Sequence, residues 1–215
     1  MCYNIIVIKE EKEMKSYVTS NYEENIMPRL FIEVMNAGRE ELKSRPHRIV
    51  LDMAIACRVD MVNHSVPVTN EMLKEYEGVT AEEIVREAIL NSPNIKPEKF
   101  GKVNQVLGPE NKAEMYFLST KGFGSASSLF YPWEMGRIEY KLGGGYVVIP
   151  SSVHEVLVFP DDGITMKDAE DLSRFIKSVN EDKSCISPDE ILSWVPYHYS
   201  DGVFETLESY LLRKH

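Results

Sequence analysis

Residues 145–160 read GYVVIPSSVHEVLVFP, and this stretch decides the fold class. Two apolar runs, Tyr146–Ile149 and residues 153–159, are split by the polar step Pro150-Ser151-Ser152. β-Branched residues are concentrated in both runs, the composition of a buried strand. The segment reads as two core strands, or as one strand bent by a bulge, with Ser152, His154 and Glu155 crowded at the joint. Val147, Ile149, Val156 and Val158 are expected to be nearly fully buried. Leu172 and Ile176, on the helix that follows, should join them.

Working outward, Thr165 and Asp168 start a helix, and its Ala169, Leu172, Ile176 and Val179 form an apolar stripe. Ser187-Pro188-Asp189-Glu190 carries a second helix-start signal. A last strand is expected over 195–199 and a terminal helix over 204–212. On the other side, 113–120 and 125–131 flank a Gly-rich turn and predict a hairpin. Pro132 then opens a helix with Met135, Ile138 and Leu142 on one face, stopped by Gly143-Gly144-Gly145. Thr80 and Glu83 open a helix ending near Asn91, and Thr69 or Asn70 caps a short one closed by Gly78.

In 48–62, Leu51, Met53, Ile55, Cys57, Val59 and Met61 recur at period two. That favours one long strand, with Leu51, Ile55 and Val59 inward and Asp52 and Asp60 outward. Its Met and Ala content keeps a helix open as the alternative. Residues 29–35 read as a strand, 37–44 as a helical turn, 3–8 as a strand and 9–22 as a helix. The sum is an α+β fold: a ββαββα core with a largely antiparallel sheet and helices packed on it. Residues 1–33 would form an N-terminal extension packed on a single domain, 34–215.

The chain has 215 residues, 43% hydrophobic and 27% charged, which is ordinary for a globular protein. Its 34 acidic residues outnumber 24 Lys and Arg, for a net charge of −10. A generic nucleic-acid binder needs the opposite balance, so direct nucleic-acid binding is not expected. A protein partner with a basic surface is. No apolar run approaches the roughly 20 residues of a membrane span, and residues 1–15 lack the basic start of a signal peptide. Cys2, Cys57 and Cys185 are odd in number and never in CxxC spacing, so a disulfide framework or zinc knuckle is not expected. The expected location is the cytoplasm.

The runs PHRIVLDMAIACRV (46–59), SASSLFYP (125–132), VVIPSSVHEVLVFPDDG (147–163) and the later ISPDEILSWVPYHY resemble a family of uncharacterised proteins common in gut Firmicutes. The likeness covers roughly residues 34–200, in the family's order and spacing. The first thirty-odd residues fall outside it, and the Gly-rich turn at 121–124 departs from it. The resemblance implies no activity. Its neighbourhood of plasmids, phages and integrative elements implies a role in contests between such elements and their hosts.

Ser152 and His154 are the catalytic candidates of the joint, with His47 a third. Alternation in a strand places Ser152 and His154 on one face and Glu155 on the other, and no GxSxG elbow is present. Structural hydrogen bonding is the simpler reading of all three. A divalent metal would require His47 and His154 to meet near Asp52 or Asp161, without the spacing of a zinc site. The glycine runs are not phosphate loops. No cofactor and no metal is expected. The acidic pairs Glu82-Glu83 and Asp161-Asp162 are the partner-binding candidates. The functional expectation is a non-enzymatic acidic binding protein, in its most specific form an inhibitor of a host defence nuclease of the anti-CRISPR or anti-restriction kind. A hydrolase or metal-dependent enzyme around His47, Ser152 and His154, or a regulatory scaffold, are the alternatives.

Overall fold

The computed structural model describes residues 25–61, 63–76, 78–103, 114–121 and 125–214. The strand and helix expected over 3–22 and the tip of the turn at 122–124 lie outside the described residues. The class is α+β, and its strands form two antiparallel sheets.

The first sheet contains β1 (Leu30–Asn36), β2 (His47–Val50), β3 (Met53–Asp60) and β4 (Ser65–Pro67). β3 is central, with β1 along one side and β2 then β4 along the other. β1 crosses the boundary expected at residue 33, so residues on both sides of it share one strand. Both faces of β3 are covered. Met53, Ile55, Cys57 and Val59 enter the main core, while Ala54 and Ala56 pack with Met35 and Leu42 on the other face.

The single long strand expected over 48–62 is therefore a hairpin. The chain reverses at Leu51-Asp52, with Leu51 in the left-handed region at φ 59. Leu51 is 44% exposed instead of inward, whereas Ile55 and Val59 are buried as expected. A leucine there is strained by its Cβ, and no Gly or Asn advertises the turn. The period-two alternation runs on through the reversal, which hides it.

After β4 come α1 (Asn70–Leu73) and α2 (Ala81–Ile95). Thr80 and Glu83 form the expected capping box, and Ile84, Val85 and Ala88 are buried. α2 runs past Asn91 and contains Pro93. The hydroxyl of Ser92 donates to the Ala88 carbonyl at 2.6 Å and accepts from the Ile32 backbone N–H at 2.9 Å. The helix end is thus stitched to β1, which among the described residues has no strand on that side.

The second sheet has the order β10-β9-β7-β8-β6-β5, formed from β5 (Glu98–Lys102), β6 (Tyr116–Thr120), β7 (Tyr146–Ile149), β8 (Val156–Pro160), β9 (Tyr197–Ser200) and β10 (Val203–Thr206). β7 and β8 are the two strands of the organising stretch, paired from Tyr146↔Pro160 to Ile149↔Leu157. Tyr146 and Val148 face the main core with Leu118, Val156, Val158 and Tyr197. Val147 faces the other way, against Ala169, Leu207 and Leu211. Those residues belong to α4 (Met166–Glu181) and α5 (Leu207–Lys214), which cover the outer face. α3 (Glu134–Leu142) packs on the inner face through Ile138.

Several local expectations are corrected. Residues 125–131 are not a returning strand: Ala126–Phe130 is a 3-10 turn whose first four residues are buried. β6 pairs with β5 and β8 instead. The polar Ser127 and Ser128 of the 3-10 turn are buried, which the strand pattern did not anticipate. Ser187-Pro188-Asp189-Glu190 makes a turn and starts no helix. The segment from Phe204 first completes β10, joined to β9 by Asp201-Gly202 at φ 51 and 81, and α5 begins only at Leu207. Of the expected core, Val147, Ile149, Val156, Val158 and Ile176 are buried, while Leu172 is half-buried because it lines a pocket at the sheet edge.

Ile32 is 1% exposed between the sheets, and Phe175 on α4 is 55% exposed. Ile32→Ala should cost about 2–5 kcal/mol in chemical denaturation, through lost burial plus a cavity. Phe175→Ala should stay within about 0.5 kcal/mol of the parent. Equal effects at both positions would contradict the placement of the core.

Candidate functional site

Residues 150–155 form a loop between β7 and β8, held by hydrogen bonds on all sides. Val153 N–H donates to the Glu190 carbonyl, Ala126 N–H to the Val153 carbonyl, and Ser119 Oγ to the His154 carbonyl at 2.7 Å. Ser152 Oγ accepts from the His154 backbone N–H at 3.0 Å. The His154 ring turns to Glu190, with Nε2 3.0 Å from Oε1. His154 holds the Glu190 carboxyl below its ordinary value, aided by the Ser187 backbone N–H. Ser152 is therefore the cap of a tight turn, and the loop geometry replaces the strand alternation assumed for these residues. His47 opens β2 on the surface, its Nδ1 2.8 Å from the Arg45 carbonyl. Among the described residues, no group of three or more His, Cys, Asp or Glu side chains is placed to hold a metal ion.

The four acidic candidates divide sharply. Glu82 is 87% exposed at the start of α2, 4.0 Å from Arg48. Glu83 turns back on its own helix, accepting from the Thr80 N–H at 2.9 Å and from its hydroxyl. Asp162 is exposed. Asp161 has only 7% of its side chain exposed and is the centre of an internal network.

That network was missed from the sequence. One Asp161 oxygen accepts the backbone N–H groups of Gly163 and Ile164 at 3.1 and 2.9 Å. The other lies 3.2 Å from His198 Nε2, accepts the Tyr210 hydroxyl at 2.8 Å and is 3.9 Å from Lys214 Nζ. His198 is fully buried on β9 and stacks on Tyr210, with centroids 3.5 Å apart. Gly145 makes room for this: a Cβ there would lie 3.1 Å from His198 Cε1 and 3.0 Å from Ser200 Cβ. Burial works to raise the Asp161 carboxyl, but the Ile164 N–H, the Tyr210 hydroxyl, the Gly163 N–H and Lys214 outweigh it, and the group titrates below its ordinary value. Burial lowers the His198 imidazole below its usual 6.5, against the pull of Asp161. The arrangement pins α5 to the sheet. No signal short of the fold joins Asp161 to residues 37 and 49 positions away.

Asp162 borders an open feature. A pocket of about 520 Å³ lies between β8 and the start of α4, walled by Ile149, Phe159, Ile164 and Leu172. Among the described residues, every ionisable side chain lining it is a carboxylate: Glu114, Asp162, Asp168 and Asp171. The hydroxyl and N–H of Thr165 hold the Asp168 carboxyl below its ordinary value. Glu114 pairs with Lys102 at 3.5 Å, and Asp171 with Arg174. These cations partly neutralise Glu114 and Asp171, so the negative charge beside the apolar walls rests chiefly on Asp162 and Asp168.

The chain belongs to a family of unknown function (DUF5688). The match spans residues 2–201, so it takes in the first thirty-odd residues that the resemblance left out. It also stops short of α5, placing Asp161 and His198 inside the matched stretch and Tyr210 and Lys214 outside it. No curated protein and no solved structure matches the chain. Among the described residues, no helix is long and apolar enough to cross a membrane.

The network makes stability pH-dependent in a definite direction. His198 and Asp161 both titrate lower folded than unfolded, so the unfolded chain binds more protons and stability falls on acidification. The His198 contribution is complete above pH 6.5 and is lost as the pH falls below that value, through the lower folded pKa. The Asp161 contribution is complete above the ordinary Asp value of 3.8 and is lost at still lower pH. Denaturation followed from pH 8 downward should show His198→Gln without the limb that starts near 6.5. An unchanged limb in that variant would place the pH sensitivity elsewhere.

Proposed function

We propose that this protein is a non-enzymatic binding protein whose partner presents a basic surface. The observation that carries the reading is the pocket beside α4, where, among the described residues, apolar walls are rimmed by carboxylates alone of the ionisable lining side chains. A cationic side chain with an apolar stem, such as Lys or Arg, suits both parts of such a site. Net charge supports it, since 34 acidic residues against 24 basic ones create a long-range field that draws in a positive partner. The engagement of Ser152 and His154 in loop and surface hydrogen bonds supports a binding reading over the hydrolase alternative.

The most specific form of this reading comes from the resemblance and its neighbourhood of mobile elements in gut Firmicutes. There, a basic surface opposed by an acidic protein is that of a defence nuclease, and the protein acts as its inhibitor, in the anti-CRISPR or anti-restriction manner. Its site of action is the cytoplasm.

The test begins with capture of the partner from host lysate and its identification by mass spectrometry. Affinity and association rate are then measured at two ionic strengths, for the parent and for a variant combining Asp162→Lys with Asp171→Lys. Exposed charges are screened over about 10 Å at 0.1 M salt, so association should slow on raising salt. The reversal should slow it about tenfold at low salt. A rate indifferent to both salt and reversal would overturn the proposal.

A further inference from the structure

The start of α3 departs from ordinary helix construction in three ways. Its cap residue, Trp133, stands in the left-handed region at φ 66, which residues with a Cβ seldom adopt. The Trp133 side chain is then 89% exposed, where burial would have been favourable. One turn on, the helix carries Gly136, a poor helix former. A Cβ at Gly136 would lie 3.8 Å from the Tyr199 hydroxyl. Tyr140, seven residues from Trp133 on the same side of the helix, is 87% exposed.

Trp133 and Gly136 border one groove of about 440 Å³ between α3, β2 and the β9–β10 turn, with Phe130, Tyr131 and Tyr199 also among its walls. Gly136 keeps it open, since a longer side chain would project toward Tyr199. The Tyr199 end is acidic. Burial and then the Glu139 and Asp201 carboxylates hold the Tyr199 hydroxyl above its ordinary value. Glu139 itself accepts the Asp201 N–H at 2.8 Å. Of the charges in the lining, Arg48 has Glu82 beside it, and Glu134 is neutralised by the forked contact of Arg137 at 2.5 and 2.8 Å. The carboxylates of Glu139 and Asp201 make the Tyr199 end negative, and aromatic rings stand among the walls.

We infer that this groove receives an Arg or Lys side chain of the protein partner, laid between the Trp133 indole and the Tyr199 ring with its charge toward Glu139 and Asp201. Aromatic faces attract cations, and most strongly once water is removed. A second copy of this chain is a poorer occupant, because two molecules of charge −10 repel. The inference rests on the binding reading above and adds a second contact, on the side of the sheet opposite α4.

The experiment uses the full chain and a dye-labelled, end-blocked hexapeptide alternating Arg and Ala, with a Glu-Ala hexapeptide as control, followed by fluorescence anisotropy at low salt. Two variants report on the groove while favouring the fold. Gly136→Leu fills it and raises helix propensity. Trp133→Gly removes the indole and relieves the left-handed backbone. Each should weaken binding of the Arg peptide about tenfold, and Asp201→Asn should weaken it less. The Glu peptide should not bind. If the Arg peptide binds but is lost only with Asp162→Lys and Asp171→Lys, the groove assignment is wrong while the acidic-pocket reading stands. If the Arg peptide fails to bind the parent at all, both readings fall.

Discussion

Asp52 stands at the tip of the β2–β3 hairpin and accepts hydrogen bonds from the hydroxyls of Ser193 and Tyr197. This polar clamp joins the first sheet to β9 of the second. Tyr197 is fully buried and its phenol is pushed far above its ordinary range by burial and by Asp52, so it always has a proton to donate. A buried hydroxyl with its partner removed costs about 1–3 kcal/mol, and here the partners are shared among three groups. The neighbouring chain is held as well: Asn36 donates to the Leu192 carbonyl and Asn180 to the Ser193 carbonyl. One short segment, 192–197, is thereby tied to both sheets and to α4. The clamp also retains Leu51 in its strained turn and sets where β2 lies along the aromatic groove.

The fold sorts the acidic residues into two populations. Glu83 and Asp168 satisfy the first N–H groups of their own helices, where a carboxylate suits the helix dipole. Asp161 is consumed by β9, α5 and its own turn. On the first sheet, Glu33 lies between Arg45 and Arg58, half-covered and forked to both. What remains unspent is smaller than the net charge suggests, and it is local: Asp162 beside the α4 pocket and Asp201 at the β9–β10 turn. Charge that has been spent on caps cannot steer a partner by contact, although it still adds to the distant field.

On the proposed reading, two such faces give the molecule a physical advantage. The apolar walls of the α4 pocket and the aromatic walls of the groove each add contact area to a weak, salt-screened attraction. Two modest contacts on one partner act together, because the second forms at high effective concentration once the first is made. The β7–β8 hairpin lies between α3 and the α4–α5 pair, so its rigidity fixes the relation of the two sites. That rigidity comes from Tyr146, Val147 and Val148, fully buried on both faces of one strand.

The α+β class, the β7 and β8 strands, the Thr80 capping box and the helix start at Thr165 were legible in the chain because each depends on residues within a few positions of one another. Thr80 with Glu83 and Thr165 with Asp168 need only three residues of spacing to form. Alternation likewise marked Ile55 and Val59 as inward. It could not mark the reversal at Leu51-Asp52, because that turn has no local preference of its own and is held by residues 141 and 145 positions away. The 3-10 turn at 126–130 was hidden for a related reason: its serines find buried partners, such as the Ser119 carbonyl for Ser128 Oγ, that a strand reading cannot supply. The sequence by itself determined which segments would bury and which residues carry charge. Only the tertiary structure decided which carboxylates stay free for a partner, because a carboxylate is tied down by whatever donors the folded chain brings to it.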